Sequence, residues 1–387
     1  MPQPFLDKAD LAACRALLCG GSRSFHAASL LLPRRVHEPA TALYAFCRVA
    51  DDLIDGASDG GAGDGGPSDW GAGDRGAGER GSVGNKAGAA LTQLTERLDA
   101  AYAGRPLPHA ADRALAAVVA RFAIPRALLD ALLEGFAWDA AGRRYEDLAA
   151  LEAYAARVAG AVGAVMALLM GERSAAGVAR ACDLGAAMQL SNIARDVGED
   201  ARAGRLYLPL DWLRAAGIDP DAWLARPVHH PALAGVVAQL LARADVLYRQ
   251  ADAGIAALPA TCRPGIRAAR HLYAGIGAEV ARRGFDGVTT RAVVPGREKL
   301  RLLGRALLPA GPAGFARWGL GSRPRPSPLA PCGKGRDATQ FLVQAVLSAA
   351  GPVQAVKTSR WQALDDRAGW LLTLFGQLDA RQTRGRS

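Results

Sequence analysis

Strand signals are nearly absent from this sequence of 387 residues, which excludes an all-β or sheet-centred architecture. The six cysteines, Cys14, Cys19, Cys47, Cys182, Cys262 and Cys332, show no paired metal-ligand spacing. That excludes a zinc module, and a reduced cytoplasmic compartment suits them. The N-terminus, MPQPFLDKADLAACRALL, places two acids ahead of any apolar run and lacks the basic start of an export signal. The longest apolar run, VAGAVGAVMALLMG at 158–171, is too short to span a bilayer and reads as a packed core helix. What the chain does have is alanine, leucine and a hydrophobic share of 50%, the composition of a helical core-forming protein. Lys plus Arg exceed Asp plus Glu by 47 to 37, a net charge of +10 that favours an anionic partner. The arginines are dispersed and HHP at 229–231 reads as a loop before a helix, so no nucleic-acid partner is expected.

Helical periodicity begins near Leu11 and resumes after Pro33, with Pro39 placed for the first turn of a helix running through Asp55. From 56 to 88 the composition turns to glycine, aspartate and serine, the signature of a mobile insertion. Its GxGxxG match at Gly61, Gly63 and Gly66 follows no strand and opens no helix, so it carries no dinucleotide reading. From Leu91 to Leu308 helix follows helix. The expected organisation is a catalytic unit over 1–305, a Pro/Arg/Gly-rich linker over 306–338 and a tail over 339–387. The tail carries Trp361, Trp370 and Phe375 among basic residues, the pattern of an interfacial helix or of a docked terminal one.

Two stripes of polar residues stand out. In LYAFCRVADDLID, Asp51 and Asp55 lie about 40° apart around a helix, and Tyr44 and Arg48 fall within about 60° of the same face. Asp52 lies about 100° from Asp51, at the edge of the stripe. In MQLSNIARDVGED, Gln189, Asn192, Asp196 and Asp200 share an arc of about 80°. A stripe that turns polar in mid-helix needs partners for its buried oxygens. Carboxylate-rich, sulfur-free donors suit Mg²⁺ or Mn²⁺, with Arg48, Arg195 and Arg205 near enough in sequence to neutralise a diphosphate.

These motifs resemble the squalene and phytoene synthase family over about residues 11–305. GSRSFHAASLLLP is similar to its serine motif, LYAFCRVADDLID to its first aspartate motif, EAYAARVAGAVGAVM to its central helix and AMQLSNIARDVGEDARAGRLYLP to its second aspartate motif. The closing HLYAGIGAEVARRGFDGVTTRAVVPGREKL places a tyrosine and an arginine on Tyr273 and Arg291. Ala155 and Gly21 depart from the family pattern, at positions that bear on tuning.

The resemblance implies an all-α isoprenoid synthase fold, a single large helical domain around a central cavity. Asp51, Asp55, Asn192, Asp196 and Asp200 would hold the metal. Ser22, Ser24, Tyr44, Arg48, Gln189, Arg195, Arg205 and Arg291 would contact diphosphate or metal, and Tyr154, Tyr207 and Tyr273 would line the cavity. The implied activity joins two geranylgeranyl diphosphates head to head through a cyclopropyl diphosphate, with Mg²⁺ (or Mn²⁺) and no NADPH. The alternatives are a C15-using squalene or dehydrosqualene synthase and a non-catalytic membrane-associated assembly factor. Small residues Ala159, Gly160, Gly163, Ala186 and Ala187 are expected to leave room for a C20 tail. The same resemblance implies peripheral attachment to a membrane surface, and other enzymes of the carotenoid pathway as partners.

Overall fold

A computed structural model describes residues 5–20, 23–58, 80–307 and 337–349, and these contain fifteen α-helices and no strand. The first six are α1 (Lys8–Gly20), α2 (Arg23–Ser29), α3 (Arg34–Ser58), α4 (Arg80–Tyr102), α5 (Ala110–Phe122) and α6 (Arg126–Ala140). Next, α7 (Leu148–Ala155) passes through a π-helical turn (Ala156–Gly160) into α8 (Ala161–Leu169), followed by α9 (Ala175–Arg202). The rest are α10 (Leu210–Ala215), α11 (Pro220–Ala225), α12 (Pro231–Ala257), α13 (Arg263–Arg282), α14 (Gly296–Leu307) and α15 (Asp337–Ser348).

Local chemistry sets several of these boundaries. Ser174 starts α9 by accepting from the Gly177 N–H at 3.1 Å. Gly204 ends the same helix at φ 74°, a conformation that costs a residue with a Cβ roughly 1–2 kcal/mol. Asp219 caps α11, with Pro220 at its first turn. Two boundaries differ from the periodicity reading. Helix α3 begins at Arg34, so Pro39 is inside it, past the first turn, and forfeits one backbone bond. Helix α4 begins at Arg80, inside the stretch expected as insertion, because extending a helix already nucleated by packed residues such as Leu94 and Leu98 is cheap. Residues 59–79, residues 308–336 of the linker expected over 306–338, and the tail from 350 lie outside the described residues.

The apolar side chains form two clusters, one centred on α1, α3, α4, α5 and α8, the other on α9, α12 and α13. Leu184 on α9 packs against both. Helix α9 also contacts α7, α8, the π-helical turn and α15. Its approach to the neighbouring backbones is set by glycine. A Cβ on Gly185 would stand 2.1 Å from the Ala159 carbonyl oxygen, and one on Gly163 2.2 Å from that of Ala181.

Helix α15 buries Leu342 and Val346 against this centre, and Arg157 lies between the rings of Trp138 (4.2 Å) and Phe341 (5.2 Å). Two helical spans, Leu148–Leu169 and Pro231–Ala257, are long and apolar enough to cross a membrane by composition. The first takes in residues 158–169 of the run expected as a core helix, and 67% of its most apolar window is buried in the bundle.

Candidate active site

A cavity of about 260 Å³ opens at the seam between the two clusters. Its walls are almost wholly apolar: Leu43 from α3, Val158 and Ala159 from the π-helical turn, Met166 from α8, Ile255 from α12 and Ala269 from α13. Along α9 the lining runs from Gly177 to Asn192, fifteen steps and so about 22 Å of helix. Its polar lining consists of Tyr44, Gln189, Asn192 and Tyr273 at what is here called the polar end, with Arg180 on the wall further back along α9. Cys47 also reaches the wall, where burial pushes its thiol up to about 12, so it stays neutral and inert. Of the five small residues expected to leave room for a tail, Ala159 and Gly163 reach the wall, while Gly160, Ala186 and Ala187 do not.

On both helices charged groups follow the lining residues in sequence: Arg48, Asp51 and Asp52 come after Tyr44 and Cys47 on α3, and Arg195, Asp196 and Asp200 after Asn192 on α9. On α3, Arg48 reaches Asp52 at 2.7 Å and Asp51 at 3.7 Å, so the edge carboxylate is its nearer partner. On α9, Asp196 accepts two hydrogen bonds from Arg195, at 2.7 and 2.5 Å. Arg291 approaches Asp196 at 3.0 Å and Glu199 at 3.5 Å. Burial, followed by the Asp196 carboxylate, pushes Asp200 up to about 8 against a partial pull from Arg205. The Arg205 backbone N–H donates to the Asp200 carbonyl at 2.8 Å, which closes the end of α9. Asp55 lies on α3 and Ser24 on α2 with their side chains outside the described residues, as is all of Ser22.

Tyr154 and Tyr207 differ from expectation. Neither is on the wall of this cavity; both phenols donate to Asp139, at 2.8 Å each, and their rings stack at 5.3 Å. Tyr145 adds a third ring, 5.2 Å from Tyr154. Burial, then the Asp139 charge, lifts the Tyr154 and Tyr207 phenols well above their usual range, so both remain protonated donors. Asp139 also contributes to the upward shift of Asp200, which ties this cluster to the second aspartate stripe.

Asp139 and Glu199 were not among the residues singled out by sequence. Glu199 adjoins Asp200, but its meeting with Arg291 joins positions far apart in the chain. No local signal marks Asp139, which follows ALLEGFAW, a run that already contains Glu134.

Among the described residues no three metal-ligating side chains already converge as a cage. The donor set nonetheless fits a hard divalent cation. Asn192 Oδ1 is buried with no hydrogen-bond partner, and Asp200 is a desolvated carboxylate of raised pKa two turns along the same face. Both features are those of oxygens that a cation would satisfy.

An all-helical bundle around an apolar cavity, lined in part by the two helices that carry the aspartate stripes, is the architecture of the isoprenoid synthase class of prenyl diphosphate enzymes. A family model for squalene/phytoene synthases matches residues 18–298, and the chain belongs to that family. It is 52% identical over 310 residues to a phytoene synthase of Cereibacter sphaeroides, covering 79% of this chain and 82% of that one. It is 39% identical to a 15-cis-phytoene synthase of a Paracoccus species, over 79% and 94% of the two chains. A crystal structure of a dehydrosqualene synthase aligns with a TM-score of 0.65 at 29% identity, over 77% of this chain and 95% of that one. A squalene synthase from Alicyclobacillus acidocaldarius aligns at 0.59 and 25% identity, over 72% and 95%.

Proposed function

We propose that this chain condenses two molecules of geranylgeranyl diphosphate head to head, through a cyclopropyl diphosphate, to phytoene, releasing diphosphate for carotenoid biosynthesis. The observation that carries the reading is the pairing of a long apolar cavity with an oxygen-donor and arginine cluster at one end of it. Its support from relatives is the 52% identity to a phytoene synthase. The C15-using alternative is favoured by the structural likeness to a dehydrosqualene synthase. Against it stand the higher identity to phytoene synthases and a lining that runs for about 22 Å along α9, long enough for an extended C20 chain.

Each part of the chain has a physical task in this reaction. Asp51 and Asp55 on α3 and Asn192, Asp196 and Asp200 on α9 are the residues that would hold Mg²⁺. The bound metal supplies Lewis-acid stabilisation of the leaving diphosphate. Arg48, Arg195, Arg205 and Arg291 bring positive charge to the same end and stabilise a departing anion through charge-assisted hydrogen bonds. The apolar wall keeps water away from an allylic cation. Tyr273 lines the cavity, and its ring would stabilise developing positive charge there by up to about 2 kcal/mol in a dry site. Asp139 fixes the orientation of Tyr154 and Tyr207 beside this end. Amphiphilic substrates and a hydrocarbon product make a peripheral position on a membrane the natural place of work.

Asp51→Asn and Asp196→Asn test the assignment. Each should abolish turnover while leaving the folded state intact by circular dichroism, and calorimetry should show that Mg²⁺-dependent binding of a prenyl diphosphate is lost. Retained turnover in either variant would refute the metal-holding role.

A further inference from the structure

Seven large hydrophobic side chains are exposed among the described residues, and three of them, Val293, Leu300 and Leu307, fall within one short stretch. Leu300 and Leu307 are 58% and 48% exposed. They are seven residues apart on α14, so they lie about 20° apart around the helix and about 10 Å apart along it. Val293 belongs to the extended segment that leads into the helix, where its neighbours Ala292 and Val294 are buried and Val293 is therefore turned outward. The opposite face of α14 buries Leu302 and Ala306, and Leu302 sits 2.8 Å from where a Cβ on Gly275 of α13 would be. The Leu300 face accordingly points away from the bundle.

The charge on this helix is one-sided. Arg297, Lys299, Arg301 and Arg305 stand against Glu298 alone, four positive charges and one negative, net +3. Arg297 and Arg301 lie about 60° and 100° around the helix from Leu300, close enough for their aliphatic stems to follow the same apolar surface. The stretch also adjoins the active-site rim. Arg291, two residues before Val293, pairs with Asp196, and α13, against which α14 packs, contributes Ala269 and Tyr273 to the cavity wall.

We propose that the Val293, Leu300 and Leu307 face of α14 is the surface by which the protein docks on a bilayer containing anionic phospholipid, beside the cavity's polar end. The inference rests on the proposed reaction, whose substrate tails and hydrocarbon product both partition into lipid. Apolar side chains flanked by arginine and lysine are the chemistry of a helix lying in a membrane interface. A second copy of the chain fits worse, because face-to-face docking sets +3 against +3. Three side chains are also far fewer than the ~800 Å² per partner of a stable protein interface supplies. This face is distinct from the C-terminal tail that sequence patterning alone marks for membrane contact.

The test is co-sedimentation of the full chain with vesicles of phosphatidylcholine and of equimolar phosphatidylcholine and phosphatidylglycerol. The unmodified chain should bind the anionic vesicles preferentially. Leu300→Ser with Leu307→Ser should weaken binding at least about tenfold. Arg297→Gln with Lys299→Gln should cost about fivefold per charge on anionic vesicles and leave the neutral ones unaffected. All variants should keep full turnover of detergent-dispersed C20 diphosphate. Absence of that turnover in the unmodified chain would count against the reaction and not against the surface. Vesicle binding unchanged in both double variants would overturn the proposal, as would a dimer in sedimentation velocity that the leucine substitutions dissolve.

Discussion

Arg291 Nε stands 3.0 Å from Asp196 Oδ1, which ties the segment before α14 to the middle of α9 across 95 residues of sequence. The guanidinium is 43% exposed, so its pairing adds little to stability; in the proposed reaction its use would be the charge it brings to a diphosphate. Arg291→Gln should therefore raise the KM for C20 diphosphate about tenfold or more and shift thermal stability by under about 1 kcal/mol. Steady-state kinetics with a melting curve checks both. An unchanged KM would remove Arg291 from substrate contact.

Asp139 is the shared acceptor of two buried phenols, so its two replacements should separate orientation from packing. Asp139→Asn keeps one carbonyl oxygen and should lower kcat while the fold holds. Asp139→Ala leaves both hydroxyls without this acceptor and should cost about 1–3 kcal/mol for each one orphaned. Chemical denaturation and single-turnover kinetics on the pair would show it. Equal kcat in Asp139→Asn and the parent would make the cluster purely structural.

Acid should destabilise the protein through two histidines. Burial, reinforced by Arg15, His26 and Arg34, lowers His37 to about 4; burial with Arg270, Arg305 and Arg267 does the same to His271. Both folded values lie below the unfolded 6.5, so between 6.5 and 4 the unfolded chain binds more protons. Stability is then fully present above pH 6.5 and falls as pH drops toward 4, by up to about 3 kcal/mol per histidine. Denaturant midpoints across that range should flatten in His271→Gln. A slope identical to the parent's would show that His271 does not titrate on unfolding.

Helix contacts at α9 can be probed with a single methyl group. Gly185→Ala would set a Cβ 2.1 Å from the Ala159 carbonyl oxygen and force the π-helical turn outward, at a cost of about 1–3 kcal/mol. Gly235→Ala on α12 meets nothing within 4 Å and should be neutral or stabilising by about 0.4–1 kcal/mol. Differential scanning calorimetry on the two variants gives the contrast; equal melting temperatures would contradict the close-packing account.

The helical class and both polar stripes were legible in the sequence because they depend on a single period. Tyr44, Gln189 and Asn192 recur at helical spacing, and the structure brings them with Tyr273 to one end of one cavity. Less legible was whatever depends on which helices meet. Asp139 takes its two tyrosines from positions 15 and 68 residues away, and nothing local in FAWDAAG marks that. Gly163 on α8 and Ala186 and Ala187 on α9 read from the sequence as space for a substrate tail, because small side chains look alike there. Only the packing reveals that Gly185 is small so that two backbones can touch. The start of α4 was hidden by composition, since glycine-rich sequence before a strong helix can be drawn into it.

The central claim is a metal-dependent, head-to-head condensation of C20 diphosphate, and the most direct measurement is product identity. Purified protein is incubated with Mg²⁺ and either C20 or C15 diphosphate, with and without NADPH, and the extracted hydrocarbon is identified by mass spectrometry. The account predicts phytoene from the C20 substrate, formed without NADPH and lost when Mg²⁺ is chelated. A C30 hydrocarbon formed preferentially from the C15 substrate, or no product from protein that is demonstrably folded, would contradict it.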